Sequence, residues 1–578
     1  MQRSAAVAAI MSPIQFGQRM RIRSAGYRSG KAGAPTKMRS ANQTYHIAAG
    51  VATSGRLSRP VERDRRLVLA SLDAVEEKVF MRSPVFPRWL LCACLAFGAA
   101  RLFAQDQPLA VTAALQAVVD RHPLRGAKVG IVARRISDGK EVFSFHGNEL
   151  FELASNTKIF TTSAALLKLG ADYEFRTTLI ANGTVQDGVL QGDLVVVGGG
   201  DPSFSGRVHP SAMTVPREFT KAIQAAGIRQ ITGDLVMDDR LFDRVYRAPG
   251  WPKAEWLWWY AAPISALSFN DNCVEVKVTG GSAPDAPAAI STYPSFPAMH
   301  FVNHCFTGAK DRPADVTFER ADDGAIVVSG RLPVGVSRSE TLAVEEPALF
   351  LAAALQAEMA KAGIRLDGRA RLVGDFEKPQ PGAHEIFAWK SRLLDSISAA
   401  NQRSHNFCAE QILKTLGAAR FGKGSFESGS AAVREVTRAA QLPDEAVSLV
   451  DGCGLSPEDR ATPQAVSAWL EVIYRSKIQE PFFGSLATNG QPETTLRNRL
   501  TDPAMRGRIH AKTGTIKANG ASALSGYAEA TDGEIYAFSI LVNGFRSGAV
   551  GAATGLEDAV CCALVGVSEK PTESNKRK

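Results

Sequence analysis

Ser155 and Lys158 stand three positions apart in the stretch FELASNTKIFTT, residues 151–162. Ile159, Leu166 and Leu167 recur there at helical spacing, so a hydroxyl and an amine project from one face about a turn apart. That arrangement suits a serine nucleophile with a lysine base. A serine hydroxyl attacks well only when a neighbour takes its proton, and a lysine takes it only when neutral. Burial and a nearby second cation both favour the neutral amine, so a second lysine is expected in the site. Lys512-Thr513-Gly514-Thr515 supplies it on a strand-like run, 508–515. There Lys512 can hold a substrate carboxylate, and Gly514 lets a peptide lie alongside as an added strand. Ser404-His405-Asn406 falls between two predicted helices, 391–402 and 406–416, where it can relay a proton and donate an amide hydrogen bond.

Other matches carry less. Ser137-Asp138-Gly139-Lys140 repeats the Ser/Lys spacing, but its Asp-Gly lies between two apolar alternations, 129–133 and 142–145, and reads as a hairpin turn. Ser268-Phe269-Asn270 reads as structural. Gly198-Gly199-Gly200 lacks the lysine and following helix of a phosphate loop. His384-Glu385 starts a zinc-protease pattern that Ala388 ends, and no GxSxG elbow or CxxC metal pattern occurs. The chemistry calls for no metal and no cofactor.

Three kinds of element must position these groups. A helix over 111–119 and the hairpin lead into the Ser155 helix. From about Arg176 to Glu385 the texture is short β-like runs broken by Gly and Asp, with one good helix over 347–362. Helical patterning then returns, Thr462-Pro463 reads as a cap and first turn, and the runs 508–515, 523–528 and 534–542 read as strands before a last helix, 552–565.

The composition, 45% hydrophobic and 22% charged over 578 residues, is that of a globular chain of two or three domains. Residues 1–104 hold 17 Lys and Arg against 5 Asp and Glu, so the remainder is slightly acidic and the net +9 implies no nucleic-acid partner. Residues 81–104 read as a secretory signal, with arginines, an apolar run too short for a stable span, and Ala104 at the cleavage position. Residues 1–80 read as a disordered or over-extended start. Export permits disulfides among the six remaining cysteines, and Cys273 with Cys305 is the pair expected first.

SxxK, SxN and KTG in this order resemble the penicillin-binding protein and serine β-lactamase superfamily. Around them, GDLVVVGGGDP (192–202), PISALSFNDN (263–272), DGCGLS (451–456) and AKTGT (511–515) resemble the D-alanyl-D-alanine carboxypeptidase/endopeptidases of the penicillin-binding protein 4 type, peptidase S13. The resemblance covers about 126–565. It implies an α/β (α+β) fold: a transpeptidase-like domain, 105–176 and 388–566, with a central antiparallel sheet flanked by helices. A β-rich insert, 177–387, and a polar tail, 567–578, complete it.

By that resemblance Ser155 attacks a D-Ala-D-Ala bond, Lys158 is its base and Ser404 returns the proton. Asn406, Lys512, Thr513, Gly514 and Thr515 bind substrate, and the N–H groups of Ser155 and Thr515 form the oxyanion hole. Glu255, in GWPKAE, matches a carboxylate that meets the amino end of a diaminopimelate side chain. The implied partners are peptidoglycan peptides and β-lactams, and the implied location is the periplasm with no membrane span after signal cleavage. Two features depart from the pattern: His405 stands where Asp is frequent, and Cys453 replaces a smaller residue. A β-lactamase or esterase of the same superfamily, and a catalytically silent peptidoglycan-binding protein, are the alternative readings.

Overall fold

The strands near the C-terminus are apolar at almost every position because both faces of their sheet are covered. The computed structural model describes residues 110–296, 299–374, 379–546 and 548–569. The expected leader, 1–80 and 81–104, and most of the expected polar tail, 567–578, lie outside these residues. Ala521–Glu529 and Ile535–Asn543 pair antiparallel at the middle of a six-stranded sheet. Ala523, Tyr527, Ala537 and Leu541 face one core, while Leu524, Ala528, Phe538, Ile540 and Val542 face another. Period-two alternation therefore survives with no polar face to mark it.

Ile509–Ile516 and the short Ala487–Thr488 extend this sheet on one side. The hairpin Lys128–Arg135 and Glu141–Phe145 extends it on the other, and every neighbouring pair is antiparallel. The helix over 110–121 and Val550–Val565 cover the second face. Thr157–Leu169, Leu393–Gln402, Asn406–Phe421 and Pro463–Tyr474 cover the first. Thr462 caps the last of these by accepting from Ala465 N, with Pro463 in its first turn, as the sequence predicts.

Thr157–Leu169 is buried on all sides from Thr157 to Leu166, which marks it as the central helix of this layer. Its hydroxyls need partners there and find them: Thr162 donates to the carbonyl of Lys158 and Ser163 to that of Ile159, both at 2.6 Å, while Trp469 Nε1 donates to Ser163 Oγ at 2.9 Å. Each fully buried ring or branched side chain here, such as Phe160 or Ile159, contributes roughly 1.5–3 kcal/mol through apolar burial.

After Gly170 the chain leaves this layer along Glu174–Gln186 and returns along His384–Arg392, and these two strands pair antiparallel. They belong to a seven-stranded sheet that also contains parallel pairs. Two three-stranded sheets, 273–343, complete the insert. Besides the expected helix, Pro347–Lys361, the insert holds Thr214–Ala225, which packs Val215, Phe219 and Ile223 into the same core. Val215, Phe219 and Ile223 recur every fourth position, with Pro216 and Thr220 buried beside them, so the sequence does carry this helix's signal. The expected Cys273–Cys305 disulfide is absent, and both cysteines are free and buried. They lie in different three-stranded sheets, Cys273 against Ala262 and Ala343 and Cys305 in the main insert core, so the fold gives them separate surroundings.

Candidate active site

Ser155 sits in a 3-10 turn, Ala154–Asn156, at the start of the central helix. The preceding Ala154 has φ 45°, a left-handed conformation that an alanine adopts only when its surroundings hold it there. Two contacts do so. Asn156 Nδ2 donates to Ser525 Oγ at 2.7 Å on the central sheet, and Leu153 N donates to the carbonyl of Asp459 at 2.9 Å. Gly454 closes over the turn so tightly that a Cβ on it would overlap the Ala154 carbonyl. The glycine of DGCGLS is therefore a packing requirement of the nucleophile turn.

Lys158 Nζ, fully buried, donates three hydrogen bonds: to Ser155 Oγ at 2.9 Å, Asn406 Oδ1 at 2.8 Å and the Cys453 carbonyl at 2.7 Å. Three acceptors match the three N–H donors of the protonated amine; the neutral amine keeps two of them, and its lone pair can then accept from the Ser155 hydroxyl. Burial lowers its pKa, opposed by Cys453, Asp451, Glu410 and Asp459. Lys512, also buried, donates to Ser404 Oγ at 2.8 Å and to the Thr513 carbonyl at 2.6 Å. Burial, reinforced by the Lys158 charge, holds Lys512 well below the usual amine range. Ser155, Ser404, Asn406 and Thr513 are half-buried and Thr515 is exposed, so two dry amines stand behind a set of accessible hydroxyl and amide groups.

The KTG strand runs along the nucleophile turn. A Cβ on Gly514 would lie 3.0 Å from Ser155 N and 3.1 Å from the Ala154 Cβ. Thus Ser155, Lys158, Ser404, Asn406, Lys512, Thr513 and Gly514 converge, with Thr515 next in the strand. His405, the departure in SxN, is the N-cap of Asn406–Phe421 and accepts from Cys408 N at 3.3 Å through Nδ1. A capping aspartate would accept the same bond. Burial keeps His405 neutral, well below the ordinary histidine value, with Arg207 and Lys158 adding to the effect.

Glu255 lies in the turn Lys253–Glu255 and accepts from the Tyr260 hydroxyl. The Tyr260 carbonyl in turn accepts from Asn406 Nδ2 at 2.9 Å, so Glu255 reaches the site through this tyrosine. Ser268, of the second SxN match, instead accepts from Gln411 Nε2 at 2.8 Å and helps dock the insert on the helix after Ser404.

Sequence reasoning quoted Asp451 in DGCGLS and Trp251 in GWPKAE but gave no role to either, nor to Glu410 or Asp459. Glu410 follows Asn406 by one helical turn and accepts from Gly452 N through both oxygens at 2.9 Å. Asp451 accepts from the N–H groups of Cys453, Gly454 and Ser456 and from Trp251 Nε1. Ligand atoms of Glu410, Asp451 and Cys453 lie within 4.8 Å of one another, but both carboxylates are already taken up by these N–H donors. The cluster reads as the support of a turn, and its signals in the sequence were the DGCGLS turn, 451–456, and the helical spacing from Asn406 to Glu410.

Residues 111–559 match the family described as D-Ala-D-Ala carboxypeptidase 3 (S13). The chain belongs to the S13 family. Among its similar proteins is a D-alanyl-D-alanine carboxypeptidase of Actinomadura sp. (strain R39), 30% identical over 466 residues, covering 78% of this chain and 83% of that one. Another is D-alanyl-D-alanine carboxypeptidase DacB of Haemophilus influenzae, 26% identical over 73% of this chain and 87% of that one. The crystal structure of penicillin binding protein 4 (dacB) from H. influenzae shares the fold, with a TM-score of 0.69 at 23% identity over 78% of this chain and 99% of that one. The mixed α/β architecture expected from the sequence is therefore that of an S13 protein.

Proposed function

We propose that this S13 protein is an exported serine-type D-alanyl-D-alanine carboxypeptidase/endopeptidase that works on peptidoglycan stem peptides and crosslinks and is acylated by penicillins. The observation that carries the reading is the Lys158–Ser155 hydrogen bond, 2.9 Å, set beside the Lys512–Ser404 bond, 2.8 Å. The catalytic domain is assigned to 105–176 and 388–566 around the insert 177–387. Pairing of the outgoing and returning strands, Glu174–Gln186 with His384–Arg392, supports crossings at those two places.

In this mechanism neutral Lys158 takes the proton of Ser155 as its Oγ attacks the D-Ala carbonyl. The N–H groups of Ser155 and Thr515 hold the oxyanion, each contributing about 3 kcal/mol in serine hydrolases. Ser404, with the Lys512 amine on its oxygen, gives its own proton to the leaving amine and is reprotonated by Lys158, which is neutral again when water releases the acyl group. Asn406 positions the substrate backbone, Lys512 and Thr513 hold its terminal carboxylate, and Gly514 leaves room for it along the strand. Glu255 meets the amino end of a diaminopimelate side chain. The periplasm is the compartment where this substrate lies, and the signal-like segment 81–104 supports delivery there. Among the described residues no helix is long and apolar enough to cross a membrane.

Labelling with a fluorescent penicillin tests the assignment. The native chain is expected to label covalently and Ser155→Ala to remain unlabelled. Labelling of the variant at that site would remove Ser155 as nucleophile.

A further inference from the structure

Two of the three acceptors on the Lys158 amine, Asn406 Oδ1 and the Cys453 carbonyl, are themselves held by one short segment of the insert. At its start, the buried indole Nε1 of Trp251 donates to Asp451 Oδ2 at 2.8 Å. Asp451 Oδ1 receives the N–H groups of Cys453 at 2.9 Å and Gly454 at 2.6 Å, which fixes the peptide carrying the Cys453 carbonyl. At the segment's other end, the Tyr260 carbonyl accepts from Asn406 Nδ2 at 2.9 Å. That bond orients the amide so that Oδ1 faces Lys158. Between the two ends, Glu255 accepts from the Tyr260 hydroxyl, and the exposed Trp259 ring stacks on His405.

We propose that residues 251–260 of the insert position the Lys158 amine, with Trp251 acting through Asp451 on the Cys453 carbonyl and the Tyr260 backbone acting on Asn406. The proposal rests on the reading of Lys158 as base. Trp251 touches neither Ser155 nor Lys158 directly and is a positioning residue. A lysine base works only if its amine is both neutral and aimed at the hydroxyl, and each requirement depends on where the acceptors lie. The insert is thus part of the base's support as well as of the substrate cleft.

The test is the acylation rate by penicillin as a function of pH in the full chain. The charged and titratable groups around the amine are Asp451, Asp459, Glu410 and Cys453 on one side and Lys512 and His405 on the other. Trp251→Phe keeps an aromatic ring but removes the donor from Asp451, leaving more of that carboxylate's field to stabilise the Lys158 ammonium. The expected result is a fall of about tenfold in acylation rate, with its rise on the pH axis displaced to higher pH. Trp251→His restores a ring N–H in a smaller side chain and is expected to recover part of the rate and to move the profile back.

A role in packing alone would rank the variants by volume, with histidine worst, and would leave the pH profile in place; that ranking overturns the proposal. An unchanged rate and profile in Trp251→Phe also overturns it. If Trp251→Phe fails to fold, Trp251→Met, which also removes the donor to Asp451, decides in its place: a wild-type pH profile sinks the idea, and a profile displaced upward supports it. Lys158→Met separates the parent reading. Native acylation by that variant removes Lys158 as base whatever Trp251 does, whereas a silent Lys158→Met beside a native Trp251→Phe removes only the positioning role.

Discussion

Lys512 and Ser404, 108 positions apart, meet at 2.8 Å from Nζ to Oγ. The pair mirrors Lys158 and Ser155, so each accessible hydroxyl is backed by its own buried amine. In the proposed mechanism Ser404→Ala removes the proton path to the leaving group, and it leaves Lys512 with the Thr513 carbonyl. Turnover of a D-Ala-D-Ala peptide is expected to fall by about 10²-fold or more, with little change in Tm. Steady-state kinetics beside a thermal melt checks this.

Acylation should follow the neutral fraction of Lys158. Burial puts that amine below its usual 10.5, so the rate rises with pH through a value under 10.5. A penicillin pH–rate profile whose rise lies at or above 10.5 would contradict the assignment of the base.

Gly514→Ala needs space that is already taken. Its backbone φ is ordinary, but the new Cβ would meet Ser155 N at 3.0 Å and the Leu153 carbonyl at 3.2 Å. Moving the strand by even a fraction of an ångström misplaces the nucleophile turn. Acylation should drop by about 10²-fold while stability falls by roughly 1–3 kcal/mol, measured by stopped-flow acylation and urea unfolding.

Burial, reinforced by Asp451, raises the Glu410 carboxyl to about 8, against 4.5 for the free group. Between those values the native chain holds a proton that the unfolded chain has lost. The contribution of Glu410 to stability is therefore complete below about pH 4.5 and is lost as pH rises through about 8, with a slope of at most about 1.4 kcal/mol per pH unit. Glu410→Gln cannot titrate, so its unfolding free energy should decline less than the native chain's from pH 5 to 8. Parallel slopes would contradict the burial argument.

His405 runs the other way. Burial depresses its pKa well below 6.5, so as pH falls through 6.5 the unfolded chain gains a proton that the native state refuses, and stability is lost. His405→Asn keeps a helix cap without the titration. Its acid unfolding midpoint should move to lower pH, as circular dichroism against pH would register.

The residues that touch one another across the site were legible because their chemistry restricts their type: a nucleophile, two amines, an amide and a glycine that admits a strand. Their supports were not. Asp451 and Glu410 act on backbone N–H groups, a role any well-placed carboxylate fills, so nothing in their own identity announces it. The six-stranded sheet was readable in outline from the Asp138-Gly139 turn and from the runs 508–515, 523–528 and 534–542. The helix Thr214–Ala225 was legible in principle, since Val215, Phe219 and Ile223 recur every fourth position, but it is short and lies among β-like runs that set the reading of the whole region. Parallel pairings such as Leu194–Leu235 have no local signature, since the partner is chosen by the tertiary fold.

Ile131 pairs with Ile540 in the central sheet, which joins the first strand to the last. A ribosome makes Lys128–Arg135 long before Ile535–Asn543, so the first hairpin waits for its neighbour while the whole insert is being synthesised. Loop closure over that length favours local units first, and the insert can collapse on its own core before the outer layer exists. The nascent chain would then carry Ser155 and Lys158 without Lys512, and reactivity toward an acyl donor would switch on only once Lys512 and the strands around it have been made.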